Sequence, residues 1–364
     1  MRVLFWSETF WPRVGGVERL AAGLVPALRD RGHELSVVTW VDDGETAEGC
    51  FQGIPVHRVP FFAGAGREGA ARTMEQLDEV RRLKRRFAPD LVHVNSCGRS
   101  AWFHLATQAA AAPTLVTVHQ PLAAGLDARD TVTGRLLATA SWITCCSEAV
   151  LATVRRHVPS MAARASVIEN ALPEVCAAPP PPLVPPRLLF VGRLVPEKGL
   201  DAVLGALAPL FRRVPRPRLV VAGDGPLRPQ LEAQVAERGL GAHVRFLGAV
   251  PPEAVRELMA EASVVVVPSR IEGFGLVALE AALMGRPVVA TRAGGLELVV
   301  EHGRTGLLVE VDDGAGFVRA IETLIDEPAA ARRLGEAARR RARERFDWER
   351  HVRAYDDLYR RLAA

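Results

Sequence analysis

The sequence predicts an α/β protein made of two parallel-sheet domains in tandem, and three observations carry that expectation. The chain has 364 residues, about twice a common domain size, so each half is long enough to bury its own core. Short apolar runs alternate with helical patterns through the first half and again through the second. Between the halves the alternation stops at Pro173 to Pro186, a segment holding Pro179-Pro180-Pro181-Pro182 and Pro185-Pro186. Polyproline is extended and cannot enter a sheet interior, so this segment reads as a linker. The expected divisions are residues 1–172, the linker 173–186, residues 187–345, and a C-terminal helix over 346–364.

In the first half, Val3 to Ser7 reads as a strand. Gly15-Gly16 then opens a helix whose apolar face is Val17, Leu20, Leu24 and Leu28, with Gly32 as its C-terminal cap and Pro26 as a kink. Further strands are expected at Leu35–Thr39, Val56–Val59, Leu91–Asn95, Leu115–Val118 and Ile143–Cys146, with helices at Met74–Phe87 and Ala101–Ala111. In the second half the expected strands are Leu188–Val191, Leu219–Ala222, Val244–Phe246, Val264–Val267 and Val288–Ala290, each followed by a helix. Glu327 to Ala364 reads as helical and arginine-rich. Continuous apolar strands separated by helices indicate parallel sheets covered on both faces.

Composition excludes several classes. The net charge of +4 is too small to argue for nucleic acid, and no nucleic-acid motif is present. The apolar start is short and is interrupted by Glu8, unlike a secretion signal, and no apolar run is long enough to span a bilayer. A cytoplasmic protein is therefore expected. The five cysteines, Cys50, Cys97, Cys145, Cys146 and Cys176, have no zinc spacing and read as free thiols. Of 46 basic residues only Lys84 and Lys198 are lysine, which marks these two as places where a compact ammonium is needed.

The second half carries the chemistry. After its first strand comes Val191-Gly192-Arg193-Leu194-Val195-Pro196-Glu197-Lys198-Gly199. Glycine lets backbone approach a ligand, and Arg193 and Lys198 place two cations beyond the carboxyl end of a parallel strand, where ligands bind in open α/β sheets. Gly223-Asp224-Gly225-Pro226 is a second strand-to-helix turn. Pro268-Ser269-Arg270-Ile271-Glu272-Gly273-Phe274-Gly275 follows a third strand and opens a helix at Leu276 that carries Glu280. Gly273 and Gly275 expose N–H groups at a helix N-terminus, an anion site. Carboxylates repel phosphates, so Glu272 and Glu280 suit the hydroxyls of a sugar and a ribose.

These motifs resemble glycosyltransferase family 4, retaining enzymes of the GT-B fold, whose signature is a pair of glutamates separated by seven residues, met here by Glu272 and Glu280. Phe246-Leu247-Gly248, Ala293-Gly294-Gly295 and Thr305-Gly306-Leu307-Leu308-Val309 follow in the family's order. The resemblance covers nearly the whole chain. It implies two Rossmann-like domains facing across a cleft, with the C-terminal helix from Phe346-Asp347-Trp348-Glu349 crossing back to the first domain. It implies transfer of a hexose-type sugar from a UDP- or GDP-linked donor to a glycan, lipid or small-molecule hydroxyl.

By the same resemblance, Arg193 and Lys198 bind the donor diphosphate and Glu280 the ribose. Glu272, with the backbone of Gly273, Phe274 and Gly275, holds the transferred sugar, and Gly192, Gly223, Gly225 and Leu276 complete the donor site. Gly15 and Gly16 form the family's glycine loop beside the donor phosphate, and His119 lies beside the reacting sugar. No metal or cofactor is implied, because no Asp-x-Asp is present and Asp42-Asp43, Asp312-Asp313 and Asp356-Asp357 are merely adjacent pairs. The leaving diphosphate would be stabilised by cations and helix N-termini, and the acceptor hydroxyl would lose its proton to a donor phosphate oxygen. Donor binding would close the cleft.

The chain departs from the family at three places. Gln120 follows His119, Leu298 stands where a glutamate is usual, with Glu297 before it, and Asn170-Ala171 replaces Asn-Gly. Arg81, Arg82, Lys84, Arg85 and Arg86 form a basic helix that is either a solvated face or a contact with anionic lipid at the inner face of a membrane. An epimerase or phosphorylase of the same fold, and a non-catalytic sugar-nucleotide-binding scaffold, remain the alternatives. The complete set Arg193, Lys198, Glu272 and Glu280 argues against the scaffold.

Overall fold

The computed structural model describes residues 1–13, 15–41, 47–61, 66–107, 112–123, 131–173, 185–213 and 216–364. Most of the expected linker, the Asp42-Asp43 pair, Val14, Cys176 and the end of the expected helix Ala101–Ala111 lie outside these residues. The described chain forms two compact units, Met1–Asn170 with Glu349–Ala364, and Ala171–Trp348.

The first unit is built on eight strands: β1 (Arg2–Trp6), β2 (Glu34–Trp40), β3 (Glu48–Phe51), β4 (Ile54–Val59), β5 (Leu91–Val94), β6 (Thr114–Val118), β7 (Trp142–Cys145) and β8 (Ala165–Val167). Their order is β3-β4-β2-β1-β5-β6-β7-β8, parallel except where β3 pairs antiparallel with β4. The central strands β5 and β6 are buried at every position, as a sheet covered on both faces requires. Strands β3 and β8 were not expected from the sequence. β3 holds glutamate, glycine and cysteine at the sheet edge, and β8 is only three residues long, so neither carries a strong periodic signal.

The helices Val132–Thr139 and Glu148–His157 were also unanticipated. Their N-caps were nonetheless legible: Thr131 Oγ1 accepts from Gly134 N at 2.9 Å and Ser147 Oγ from Val150 N at 3.3 Å. The first helix, Gly16–Arg29, runs through Pro26 and is capped at Asp30, so Gly32 (φ +89°) lies beyond the cap instead of forming it.

The second unit holds β9 (Arg187–Val191), β10 (Arg218–Ala222), β11 (Val244–Gly248), β12 (Val264–Val267), β13 (Val288–Thr291) and β14 (Leu307–Val309). Their order is β11-β10-β9-β12-β13-β14, parallel throughout. Strand order therefore reverses between β9 and β12 here, and between β1 and β5 in the first unit. Connections leave such a switch point toward opposite faces and open a crevice at the carboxyl ends of the strands. The core beneath this sheet joins Leu188, Phe190, Val221, Val264 and Val266 to Leu200, Leu204, Phe317 and Ile321.

The arginine-rich C-terminus is two helices, Pro328–Arg345 and Trp348–Ala363, because Phe346 leaves helical geometry. The first packs against the helix Leu276–Leu283 and buries its small residues Ala331, Gly335, Ala338 and Ala342. The second returns to the first unit and buries Val352, Tyr355, Leu358 and Tyr359. Buried hydrogen bonds fix it there: Tyr359 Oη to His93 Nδ1 at 2.5 Å, Tyr355 Oη to Thr117 Oγ1 at 3.3 Å, and Asp356 Oδ1 to His33 Nε2 at 2.8 Å.

Lys84 corrects one expectation. It belongs to the helix Gly66–Phe87, but its ammonium is buried, not part of an exposed basic face. It donates to Thr107 Oγ1 at 2.9 Å and to the carbonyl of His104 at 3.1 Å, closing the last turn of the helix Ala101–Ala106. A compact ammonium can end a helix in this way; a planar guanidinium is too large for the position. Burial pulls its pKa down to about 7. Arg82, Arg85 and Arg86 remain exposed. Among the described residues, no helix is long and apolar enough to cross a membrane.

Candidate active site

The second unit gathers its candidate residues at the switch point. β9 is followed by Gly192, whose N–H donates to Ala222 O at 3.0 Å, and β10 by Gly223, whose N–H donates to Gly248 O at 2.8 Å. Gly223 has φ +146°, and a Cβ there would collide with the carbonyl of Gly192. The two turns therefore meet backbone to backbone, which only glycine permits. Asp224 accepts from Gly225 N at 2.8 Å and pairs with Arg228, so it caps its own turn.

Pro196–Lys198 forms one 3-10 turn after β9 and ends at Gly199 in left-handed geometry. That turn is sewn to the loop after β12. Arg270 N donates to Glu197 O at 2.8 Å. The Arg270 guanidinium bonds Asp201 at 2.9 and 3.0 Å, Asp312 at 2.7 Å and Pro196 O at 2.7 Å. Buried Ser269 accepts on its carbonyl from Thr291 Oγ1, which ties the same loop to β13.

This sewing brings Lys198 Nζ to 2.7 Å from Glu272 Oε2, and Ser269 Oγ donates to the same oxygen at 3.2 Å. Both contacts fall on Oε2. The Glu272 carbonyl accepts from Gly295 N at 2.9 Å, so the Ala293-Gly294-Gly295 motif supports the loop from beneath. Gly273, Phe274 and Gly275 are buried, and Gly275 starts the helix Leu276–Leu283 with φ +101°. Glu280, half-buried, sits in that helix's second turn. Phe274 packs edge-on against Phe346 at 5.4 Å. Arg193 is exposed and forms no ion pair among the described residues. An ammonium, a carboxylate and a helix N-terminus thus share one crevice edge, which can bind a dianion beside hydroxyls.

In the first unit, Gly15 is the N-cap of the helix Gly16–Arg29. The Glu18 carboxylate folds against Gly15 and accepts from Thr9 Oγ1, so an acidic group already faces this helix N-terminus. His119 follows β6, and its Nε2 lies 3.2 Å from Asn95 Oδ1. Burial pulls the ring's pKa down to about 4, with the neighbouring His351 adding to the fall. The structure thus brings Lys198, Glu272 and the glycine turns together in one unit and places Gly15, Gly16 and His119 in the other. Sequence reasoning passed over Asn95, Ser269, Arg270 and Glu18. Ser269 and Arg270 stood inside a quoted motif, while the importance of Asn95 depends on a neighbouring strand. Among the described residues, no three His, Cys, Asp or Glu side chains are grouped to hold a metal ion.

Comparison with known proteins identifies the family and fold. Residues 14–174 match the family described as Glycosyltransferase Family 4, and residues 177–341 match Glycosyl transferases group 1. A glycogen synthase of Mycobacterium tuberculosis is 30% identical over 391 aligned positions, covering 99% of this chain and 94% of that protein. A D-inositol 3-phosphate glycosyltransferase of Streptomyces avermitilis is 41% identical over 180 residues, 47% of this chain and 39% of its own length. Among solved structures, the sucrose-phosphate synthase of Thermosynechococcus elongatus superposes with a TM-score of 0.83 at 25% identity, covering 99% of this chain and 98% of that one. Anabaena HepE in complex with UDP-glucose gives 0.80 at 23% identity, covering 99% and 98%. With both halves matched in order and a full-length relative aligned end to end, the chain belongs to glycosyltransferase family 4, and it is a glycosyltransferase of the GT-B fold.

Proposed function

We propose that this glycosyltransferase transfers a hexose-type sugar from a UDP- or GDP-linked donor to an acceptor hydroxyl, with retention at the anomeric carbon and without a metal. The observation that carries the reading is the Lys198–Glu272 pair at the switch point of the second unit. Lys198 is a compact point charge suited to a leaving diphosphate, and Arg193 stands exposed earlier on the same loop as a second cation. Glu272 keeps Oε1 for a sugar hydroxyl while Ser269 and Lys198 hold Oε2. Glu280, one helical turn further in, suits the ribose.

Charge developing on the departing diphosphate meets fixed cations and the N–H groups at Gly273 to Leu276, so the barrier falls by electrostatic preorganisation. The acceptor hydroxyl passes its proton to a donor phosphate oxygen on the same face, and no enzymic nucleophile is required. Solved relatives are described as bound to UDP, UDP-glucose or ADP, and the full-length relative is named for glycogen synthesis. An α-glucan is therefore the first acceptor to try.

A thermal-shift panel of UDP-, GDP- and ADP-sugars tests the donor, since a ligand that binds only the folded state raises the midpoint. The configuration of the product, read by NMR, tests retention. No shift with any nucleotide sugar, or an inverted anomeric centre, would refute the reading.

A further inference from the structure

The loop that carries Glu272 is braced by a helix from much later in the chain, Pro328–Arg345, and both belong to the second unit. Gly335 of that helix lies against Gly285, so close that a Cβ would collide with the Gly285 carbonyl. Arg339 Nε donates to Leu283 O at 3.1 Å. Phe346, the C-cap of the same helix, packs on Phe274. Residues 335, 339 and 346 thus meet 285, 283 and 274, so the brace runs antiparallel to the helix Leu276–Leu283 and reaches the loop that opens it.

Phe274 is the one side chain between Gly273 and Gly275, and it is buried. Glycine loses the most conformational freedom on ordering, so the fixed geometry of this loop must come from its neighbours. The Phe274 ring meets Phe346 edge-on, with centroids 5.4 Å apart and planes at 83°, a favoured aromatic arrangement. Phe346 is itself held: its N–H donates to Ala342 O at 2.9 Å, and the Arg341 and Arg345 guanidinium groups lie 5.6 and 5.7 Å from its ring centroid. Arg341 also donates to Glu301 Oε1 at 2.7 Å and to Leu298 O at 3.0 Å. Leu298 sits in the short helix Leu296–Val299 that follows Gly295, and Gly295 N is the donor to Glu272 O. One guanidinium therefore joins the two supports of the loop, Phe346 on the Phe274 side and Gly295 on the Glu272 side.

We propose that Phe346 is a positioning residue: through Phe274 it holds Glu272 and the N–H groups of Gly273 to Leu276 in the geometry that the donor requires, with Arg341 fixing the Phe346 ring. What the loop binds rests on the sugar-transfer reading, but the order of the loop does not. Removing the Phe346 ring leaves a void against Phe274, and a loop with glycine on both sides of that ring relaxes into it.

The test compares Phe346→Leu with Phe317→Leu. Both lose a buried ring of the second unit, but Phe317 belongs to the core beneath the sheet, a cluster that includes neither Phe274 nor Phe346. Hydrogen exchange of the ligand-free protein is read over residues 272–280 and over the strands β9, β12 and β13. In Phe346→Leu, exchange over 272–280 should rise about tenfold or more relative to the strands, and in Phe317→Leu it should rise only in step with them. A rise in step with the strands in both variants overturns the proposal, whether or not the protein transfers sugar. Kinetics then use UDP-glucose, or the GDP- or ADP-sugar that the thermal-shift panel selects. A partly unfolded enzyme loses kcat through its active fraction and keeps its KM, whereas a displaced loop weakens donor binding. Phe346→Leu should therefore raise the donor KM about fivefold or more while Phe317→Leu leaves it unchanged; an unchanged KM in both counts against the positioning role. Adding Phe346→Leu to Phe274→Leu should raise KM no further, because the one acts through the other, and effects that multiply overturn the assignment. Should Phe346→Leu fail to fold, Arg341→Lys, which loses the planar group beside the ring, is read in the same two assays. If no nucleotide sugar binds the wild type, the transfer reading fails alone and the exchange result decides the positioning.

Discussion

Lys198 Nζ and Glu272 Oε2, 74 residues apart in sequence, lie 2.7 Å apart at the carboxyl edge of the second sheet. An ammonium is thus held in place by the carboxylate that stands beside it, and on the proposed reading a diphosphate competes for that ammonium.

Removing the ammonium should abolish most of the leaving-group stabilisation. Lys198→Ala is expected to raise the barrier by about 2–4 kcal/mol. Lys198→Arg should not restore the rate, because a planar fork does not fit a point-charge position between Gly192 and Glu272. Single-turnover rates at saturating donor check this, and unchanged turnover in Lys198→Ala would remove the residue from the mechanism.

Neutralising the partner should separate binding from chemistry. In Glu272→Gln the ammonium no longer has a competing anion. Nucleoside diphosphate is expected to bind tighter by about 1 kcal/mol, the scale of a partly exposed pair, while sugar transfer falls. Calorimetric titration of the diphosphate together with kcat tests both halves. Weaker diphosphate binding would contradict the competition.

Arg270 joins the turn of Lys198 to the loop of Glu272 through Asp201, Asp312 and Pro196 O. Arg270→Ala should raise the donor KM by about tenfold, near 1.4 kcal/mol, with a smaller change in kcat. Steady-state kinetics distinguish this from a variant that loses both parameters together.

Metal should be dispensable if Arg193, Lys198 and the helix N-terminus carry the diphosphate charge. Full activity is expected in excess chelator. Complete loss that divalent metal reverses would sink the metal-free scheme.

Lys84 gives the first unit a defined pH dependence. Its folded pKa is about 7 against an ordinary value of 10.5, so between those values the unfolded chain binds more protons than the folded one. Stability from this residue therefore rises with pH across that window, by up to about 1.4 kcal/mol per pH unit. Other groups also titrate there, so the difference between wild type and Lys84→Met is the quantity to measure. Denaturant midpoints at pH 7 and pH 9 should diverge in favour of wild type as pH rises; parallel midpoints would refute the buried-ammonium account.

The sequence by itself determined what is local. Apolar strands such as Val264–Val267, glycines at strand ends and the spacing of Glu272 and Glu280 are short-range patterns, and they specified an α/β fold, two sheets and the donor-side motifs. The edge strand Glu48–Phe51 escaped because an edge needs no apolar run. What only the tertiary structure decided is which distant groups meet. Lys84 reads as one charge in a basic run, yet it is buried at the end of another helix; Glu272 reads as free for a ligand, yet Lys198 holds one of its oxygens. Asn95 is an unremarked strand end until β5 is set beside β6 and His119 closes on it. The physical reason is that backbone periodicity is fixed by neighbours in sequence, whereas desolvation and hydrogen bonding depend on whatever chain the fold packs alongside.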